Sequence, residues 1–126
     1  MSSLPKEVLD NWLNFVNSGD LDGVTRLYDP SALLIPTFST ISPNTPEEIR
    51  EYFIKVSQRP QLLVTLHEAS LVIQDLGNGV FSLGGNYRWD YTEDEEPVSV
   101  EARFTYTVDL NRSTPILHHH SSQVPG

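Results

Sequence analysis

Two arginines, Arg88 and Arg103, each lie in a strand-like segment in which the adjacent positions are aromatic or aliphatic. Because successive side chains of a strand point to opposite faces, each arginine points away from the aromatic residues beside it. A guanidinium presents a rigid fork of donors that can hold a carboxylate through two hydrogen bonds. The two arginines together therefore predict a polar pocket that binds a small carboxylate.

Further side chains could complete this pocket or move a proton within it. Glu101 shares the predicted strand face of Arg103, and Asp90 shares that of Arg88. Histidine titrates near neutral pH and can act as a general acid or base, although His67 is equally well explained as an ordinary polar strand residue. The residues predicted to line the pocket are Arg88, Arg103, Glu101, His119, His67, Tyr52, Trp12 and Asp90.

Three consecutive histidines, His118, His119 and His120, lie in the last strand-like segment. Alternation places His118 and His120 on one face and His119 on the other, so the three cannot bind one metal ion together. A site made by His118 and His120 alone would lack an acidic ligand, and such histidines are more often structural. We therefore expect no metal site and no cofactor.

The residues opposite the two arginines form a wide aromatic face, made of Tyr87, Trp89, Phe104 and Tyr106. A soluble monomer rarely exposes so large an apolar surface, so this face needs a partner. It could be the inner face of the core, which would leave the arginines in solvent. It could also pack against a second copy of the chain, since tyrosine and tryptophan are enriched in interfaces. We predict the second arrangement, a homodimer or larger ring, with His118 and His120 in the same interface.

Hydrophobic periodicity predicts the elements that hold these residues. One helix begins at Pro5 and ends before Gly19, a short one follows Asp20, and a third follows the capping box that begins at Thr45. A short strand covers 32–35, and longer strands cover about 62–74, 80–91, 98–110 and the segment that ends near Ser122, with a tight turn at 77–79. Helices followed by a long sheet predict one α+β domain over residues 1–126, in which a strongly curved antiparallel or mixed sheet encloses a conical cavity.

Composition narrows the class of protein. The chain has 126 residues, 17 acidic and 8 basic side chains, a formal charge of -9 and no cysteine. The negative charge disfavours nucleic acid and anionic membranes as partners, and the absence of cysteine excludes disulfides and thiol chemistry. Neither a signal sequence nor a membrane-spanning segment is predicted, so we expect a soluble, cytoplasmic protein.

Four segments resemble the association (hub) domain of calcium/calmodulin-dependent protein kinase II. They are 18–30, Tyr87-Arg88-Trp89, Glu101-Ala102-Arg103 and His118-His119-His120-Ser121-Ser122, in the same order along the chain. That domain belongs to the nuclear transport factor two-like superfamily, whose cystatin-like, conical α+β fold is shared with ketosteroid isomerases and polyketide cyclases. The resemblance implies that Arg88 and Arg103 line a deep basic pocket. The chain departs from the resemblance at Ser121, where similar hub domains commonly carry a third arginine.

Two functions remain open from the sequence. The first, which we favour, is a stand-alone oligomerising module that binds a small carboxylate. The second is a small enzyme of the isomerase or cyclase type, with Asp90, His67 or His119 as the acid or base and Tyr52 or Trp12 shaping the cavity.

Overall fold

The computed structural model describes residues 4–125. Its helices are α1 (Pro5–Ser18), α2 (Leu21–Arg26) and α3 (Pro46–Ser57), with a 3-10 turn at Glu68–Ser70. Its strands are β1 (Tyr28–Ile35), β2 (Leu63–Leu66), β3 (Val72–Gly77), β4 (Val80–Glu93), β5 (Glu96–Asp109) and β6 (Ile116–Gln123). The six strands form one mixed sheet, so the predicted α+β class is confirmed.

The helix boundaries follow from the predicted caps. Gly19 adopts the left-handed conformation with φ 71° and ends α1. The side chains of Asp20 and Thr45 accept hydrogen bonds from the backbone N–H groups of Gly23 and Glu48, which begins α2 and α3. Glu48 Oε1 accepts in turn from the backbone N–H of Asn44 at 3.1 Å, next to the cap. These local bonds fix where the apolar stripes of the helices meet the sheet.

The sheet has the strand order β1-β6-β5-β4-β2, and β3 pairs with the other half of β4. β1 runs parallel to β6, whereas β4 is antiparallel to β2, β3 and β5, and β5 is antiparallel to β6. The predicted strand over 62–74 is interrupted. Ser70 Oγ accepts from the backbone N–H of Asn86 at 2.8 Å, which replaces a strand-to-strand bond and lets the 3-10 turn separate β2 from β3.

β1 begins four residues earlier than predicted, because Asp29 anchors its start. Asp29 accepts from Ser31, from Thr114 and from the guanidinium of Arg112, the last at 3.0 Å. The hydrogen bonds from Ser31, together with those from Arg112 and Thr114, hold the pKa of Asp29 well below its ordinary value. This cluster ties the start of β1 to the turn between β5 and β6, and so fixes the two parallel strands side by side.

The aromatic sheet face is the inner face of the core. Tyr87, Trp89, Phe104 and Tyr106 are between 0% and 3% exposed within the single chain. Trp12 of α1 stacks on Tyr87 with ring centroids 5.7 Å apart and meets Trp89 and Tyr106 edge-on. The prediction that these four residues form an interface between copies is therefore wrong. The amphipathic helices need an apolar partner for their own stripes, and this sheet face is the surface that supplies it.

Candidate functional site

A chain of buried hydrogen bonds runs through the core between α1 and the sheet. Trp12 Nε1 donates to the hydroxyl of Tyr28 at 3.0 Å, and that hydroxyl lies 2.7 Å from His119 Nδ1. His119 Nε2 lies 3.2 Å from the hydroxyl of Tyr87, which donates to Ser121 Oγ at 2.7 Å. Ser121 Oγ in turn shares a short hydrogen bond with Thr37 Oγ1. We call this series, from Trp12 to Thr37, the interior hydrogen-bond chain.

The indole at its start sets the direction of the interior hydrogen-bond chain. An indole N–H can only donate, so the Tyr28 oxygen accepts from Trp12 and its own proton goes to His119 Nδ1. His119 then carries its proton on Nε2 and donates to Tyr87. Burial lowers the pKa of His119 well below its ordinary value, with smaller contributions from His118 and His120, so the ring stays neutral. Burial also raises the pKa of Tyr28 and Tyr87 well above the usual range.

Two polar atoms beside this chain have no hydrogen-bond partner among the described residues. They are Trp89 Nε1 and the hydroxyl of Tyr106, both fully buried. Tyr106 stacks on His119 with ring centroids 3.9 Å apart. The interior around His119 is thus filled with aromatic rings and carries no net charge.

A surface groove, which we call the α3 groove, lies between α3 and the segment that follows β1. Its volume is about 240 Å³, and its lining residues are Phe38, Ser39, Ile41, Pro43, Glu48, Glu51, Tyr52, Lys55, Val56 and Arg59. Phe38 packs edge-on against Trp89 in the core at 5.1 Å between ring centroids. The groove is therefore separated from the interior hydrogen-bond chain only by the step from Phe38 to Thr37.

The guanidinium of Arg59 lies over two aromatic rings at one end of the α3 groove. Its central carbon is 4.2 Å from the ring centroid of Phe38 and 4.6 Å from that of Tyr91. The two rings stand at 89° to each other, so they hold the guanidinium in a corner between them. Lys55 stands one helical turn before Arg59 and lines the same groove.

The opposite surface of the sheet is polar and is not covered by any described element. We call it the outer sheet face and define it by its central residues Thr65, His67, Asn86, Arg88, Asp90, Ser99, Glu101, Arg103, Thr105, His118 and His120. Arg88 Nε donates to Asp90 Oδ2 at 2.8 Å, and His67 Nε2 lies 2.7 Å from Glu101 Oε1. The side chain of Arg103 is exposed and forms no hydrogen bond or ion pair with any residue in 4–125.

The structure divides the residues predicted for one pocket among three places: the core, the α3 groove and the outer sheet face. Trp12 and His119 lie in the core and Tyr52 lines the α3 groove. The other five lie on the outer sheet face: Arg88, Arg103, Glu101, Asp90 and His67. The expectation that Arg88 and Arg103 line the interior of the cone is wrong, because the aromatic residues beside them occupy that side of the strands. His118 and His120 also lie on the outer face, and a role for them in an interface stays a prediction.

Several residues of these sites escaped sequence reasoning. Thr37 and Phe38 carry no motif, and Tyr28 and Ser121 were noted only as parts of the segments that resemble hub domains. Lys55 and Arg59 carried only a weak signal, a spacing of four, because Lys55 lies in the last turn of α3 whereas Arg59 follows the end of that helix. No group of three metal-binding side chains occurs within residues 4–125, and no helix there is long and apolar enough to cross a membrane.

Comparison with solved structures places the chain in a known fold. It superposes on a Xanthomonas campestris protein provisionally assigned as a calcium/calmodulin-dependent protein kinase II association domain, with a TM-score of 0.85 and 23% identity over 98% of this chain and 94% of that chain. The S. rosetta calcium/calmodulin-dependent protein kinase II hub superposes with a TM-score of 0.79 and 20% identity, over 98% of this chain and 100% of that chain.

SalBIII, an epoxide hydrolase/cyclase-like enzyme that takes part in pyran ring formation in the polyether salinomycin, is a third structural match. It gives a TM-score of 0.79 and 16% identity over 94% of this chain and 89% of that chain. No protein-family model and no curated protein sequence matches the chain. At these identities the likeness shows the fold alone, and it confirms the predicted structural resemblance to association domains.

Proposed function

We propose that this domain is a self-associating module, and that the outer sheet face binds a second copy of the chain. The observation that carries the proposal is the balance of charge on this face. Arg88 and Arg103 stand there against Asp90 and Glu101, whereas the whole chain has a formal charge of -9.

Charge explains why copies would meet at this face rather than elsewhere. Two copies repel each other wherever acidic residues dominate, because like charges across an interface cost free energy. On the outer sheet face both signs are present, so a twofold arrangement can bring an arginine of each copy to an acid of the other. Of the two arginines on the outer sheet face, Arg103 is the one without an ion-pair partner among the described residues, so its guanidinium is free to make such a contact.

Light scattering during size-exclusion chromatography tests this proposal. We expect a dimer or larger assembly at micromolar concentration. Arg103→Glu should weaken association by roughly tenfold or more, because each copy loses a charge-assisted contact to the other. Arg26→Glu makes the same change of charge on α2, away from the sheet, and should leave association unchanged. A monomeric wild type, or equal effects of the two variants, would overturn the proposal.

The proposed module also binds a small organic ligand. The sequence favoured a carboxylate held by Arg88 and Arg103, but both are on the outer sheet face, with Arg88 already bound to Asp90. The α3 groove offers a concave surface with its own cations, Lys55 and Arg59, and is the better site.

An isomerase or cyclase is the second candidate function, and one observation favours it. The interior hydrogen-bond chain joins His119 to Thr37, which directly precedes Phe38 of the α3 groove, and histidine is the side chain that most often takes part in proton transfer. Exchange of α-carbon protons of small ketones into deuterated water, followed by NMR, tests this. Exchange that wild type accelerates and His119→Gln does not would support it, and equal exchange by both would refute it.

A further inference from the structure

We propose that the α3 groove binds an amphipathic monocarboxylate with a flat apolar body, such as an aromatic acid, whose carboxylate is held by Arg59 and Lys55. This proposal rests on the ligand-binding half of the proposed function and names the class of ligand. It does not depend on self-association, which involves the other side of the sheet.

The first argument is the pairing of the basic residues. The chain has eight lysines and arginines, and ion pairs within residues 4–125 engage Lys6, Arg50, Arg88 and Arg112. Two of the remaining four, Lys55 and Arg59, line one groove a single helical turn apart. Acidic residues lie nearby, Glu48 and Glu51 in the groove and Glu93 and Asp94 in an adjoining pocket, but none forms an ion pair with either cation. Lys55 and Arg59 are therefore the groove's own binding groups for an anion.

The second argument is the orientation of Arg59. Phe38 and Tyr91 hold its guanidinium at 4.2 and 4.6 Å from their ring centroids, so the side chain loses little further freedom when a ligand binds. Phe38 and Tyr91 stand at 89° to each other, so the guanidinium can lie flat on at most one of them, and the N–H donors that are not turned toward the rings can bind a carboxylate. A carboxylate matches these donors better than a single hydroxyl or carbonyl does.

The third argument is the shape and polarity of the rest of the groove. Phe38, Ile41, Pro43 and Val56 supply an apolar lining, and a volume of about 240 Å³ suits a molecule of one or two rings. Ile41 is 67% exposed, so a bound ring would cover apolar surface that now faces water. The apolar lining therefore selects a ligand with a hydrophobic body.

The acidic residues of the groove limit the ligand to one negative charge. Glu48 and Glu51 line the groove from the first half of α3, and at a rise of about 1.5 Å per residue Glu51 stands roughly 6 Å along the axis from Lys55. A second carboxylate that extended along the groove would approach these two acids. We therefore expect monocarboxylates to bind better than dicarboxylates.

Isothermal titration calorimetry with 3-phenylpropionate as the probe tests the proposal. Arg59→Gln should weaken binding by about tenfold to a hundredfold, the loss of one or two charge-assisted hydrogen bonds. Lys55→Gln should weaken it less, because a lysine makes no bidentate contact. Arg26→Gln removes a cation outside the groove and should leave the affinity unchanged. Circular dichroism checks that each variant is folded, and Lys55→Gln decides the question if Arg59→Gln does not fold.

Two further ligands make the test specific. Terephthalate, with two carboxylates, should bind at least tenfold more weakly, and 3-phenylpropanamide, which is neutral, should show the same loss. Equal binding of the amide and the acid would overturn the carboxylate assignment, as would equal affinities of Arg59→Gln and wild type. If no aromatic acid binds the folded wild type, the groove proposal fails, while light scattering on the same sample reports separately on self-association.

Discussion

Replacing Tyr28 by phenylalanine tests the direction of the interior hydrogen-bond chain. The hydroxyl of Tyr28 accepts from Trp12 Nε1 at 3.0 Å and donates to His119 Nδ1, 2.7 Å away. Tyr28→Phe keeps the ring and removes only this oxygen. Two buried nitrogens, one a donor and one an acceptor, then lose their partners with no route to water.

The expected loss of stability follows from those two atoms. Leaving a buried polar atom unsatisfied costs about 1–3 kcal/mol, so Tyr28→Phe should lower the free energy of unfolding by about 2–6 kcal/mol. Domains of this size are typically stable by roughly 5–15 kcal/mol, so the variant would fold but melt about 10 °C or more below wild type. Urea unfolding followed by circular dichroism measures the free energy, and the thermal midpoint gives an independent check.

Tyr106→Phe is the matched control, because it also removes one hydroxyl from a buried tyrosine beside His119. The hydroxyl of Tyr106 makes no hydrogen bond of normal geometry with the described residues, although it acts on the pKa of Tyr87. Its removal leaves Tyr87 bonded to Ser121 and His119. We expect the free energy of unfolding to stay the same or to rise by up to about 2 kcal/mol, since an unsatisfied buried group is lost. Equal destabilisation by Tyr28→Phe and Tyr106→Phe would refute the hydrogen-bond assignments.

The remaining predictions concern the core, pH and one close contact. Trp89→Glu should unfold the protein rather than dissociate it, seen as a lost cooperative melt, because Trp89 is 2% exposed within one chain. The pKa of His119 is lowered on folding, so below the ordinary pKa of 6.5 the unfolded chain binds a proton that the folded chain does not. The free energy of unfolding therefore decreases as the pH is lowered below 6.5, by up to about 1.4 kcal/mol per pH unit. Urea titrations from pH 7 to 5 should show a shallower decline for His119→Gln, and an equal decline in wild type and this variant would contradict the assignment. Gly23→Ala should destabilise by about 1–3 kcal/mol in the same assay despite the better helix propensity of alanine, because its Cβ would lie 2.5 Å from the ring of Phe15; a stabilised variant would contradict this.

The sequence predicted most of the fold because its signals were local. Asp20 and Thr45 mark helix starts through side-chain caps, and Gly19 marks a helix end through a positive φ, so each boundary depends on a few adjacent residues. The break between β2 and β3 was missed because it depends on Ser70, whose hydroxyl bonds to a residue sixteen positions away. No pattern within a short window reports such a bond.

The alternation along β4 and β5 was also correct, yet the assignment of the two faces was reversed. Periodicity tells which residues share a face, but the choice of inner face depends on what the rest of the chain places against it. The apolar stripes of α1 and α3 had already been identified, and each needed a sheet surface of the size that Tyr87, Trp89 and Tyr106 provide. Counting the helices as partners of the sheet would have placed Arg88 and Arg103 outside.

The position of Ser121 links this reversal to the proposed ligand site. The resemblance to association domains implies an arginine there, but Ser121 is 3% exposed and accepts the hydroxyl proton of Tyr87. With His119 neutral and the nearby tyrosines protonated, this interior has no positive charge to offset a buried carboxylate. An anionic ligand is therefore better accommodated at the surface, where Arg59 and Lys55 meet water and the apolar lining of the α3 groove covers only the body of the molecule.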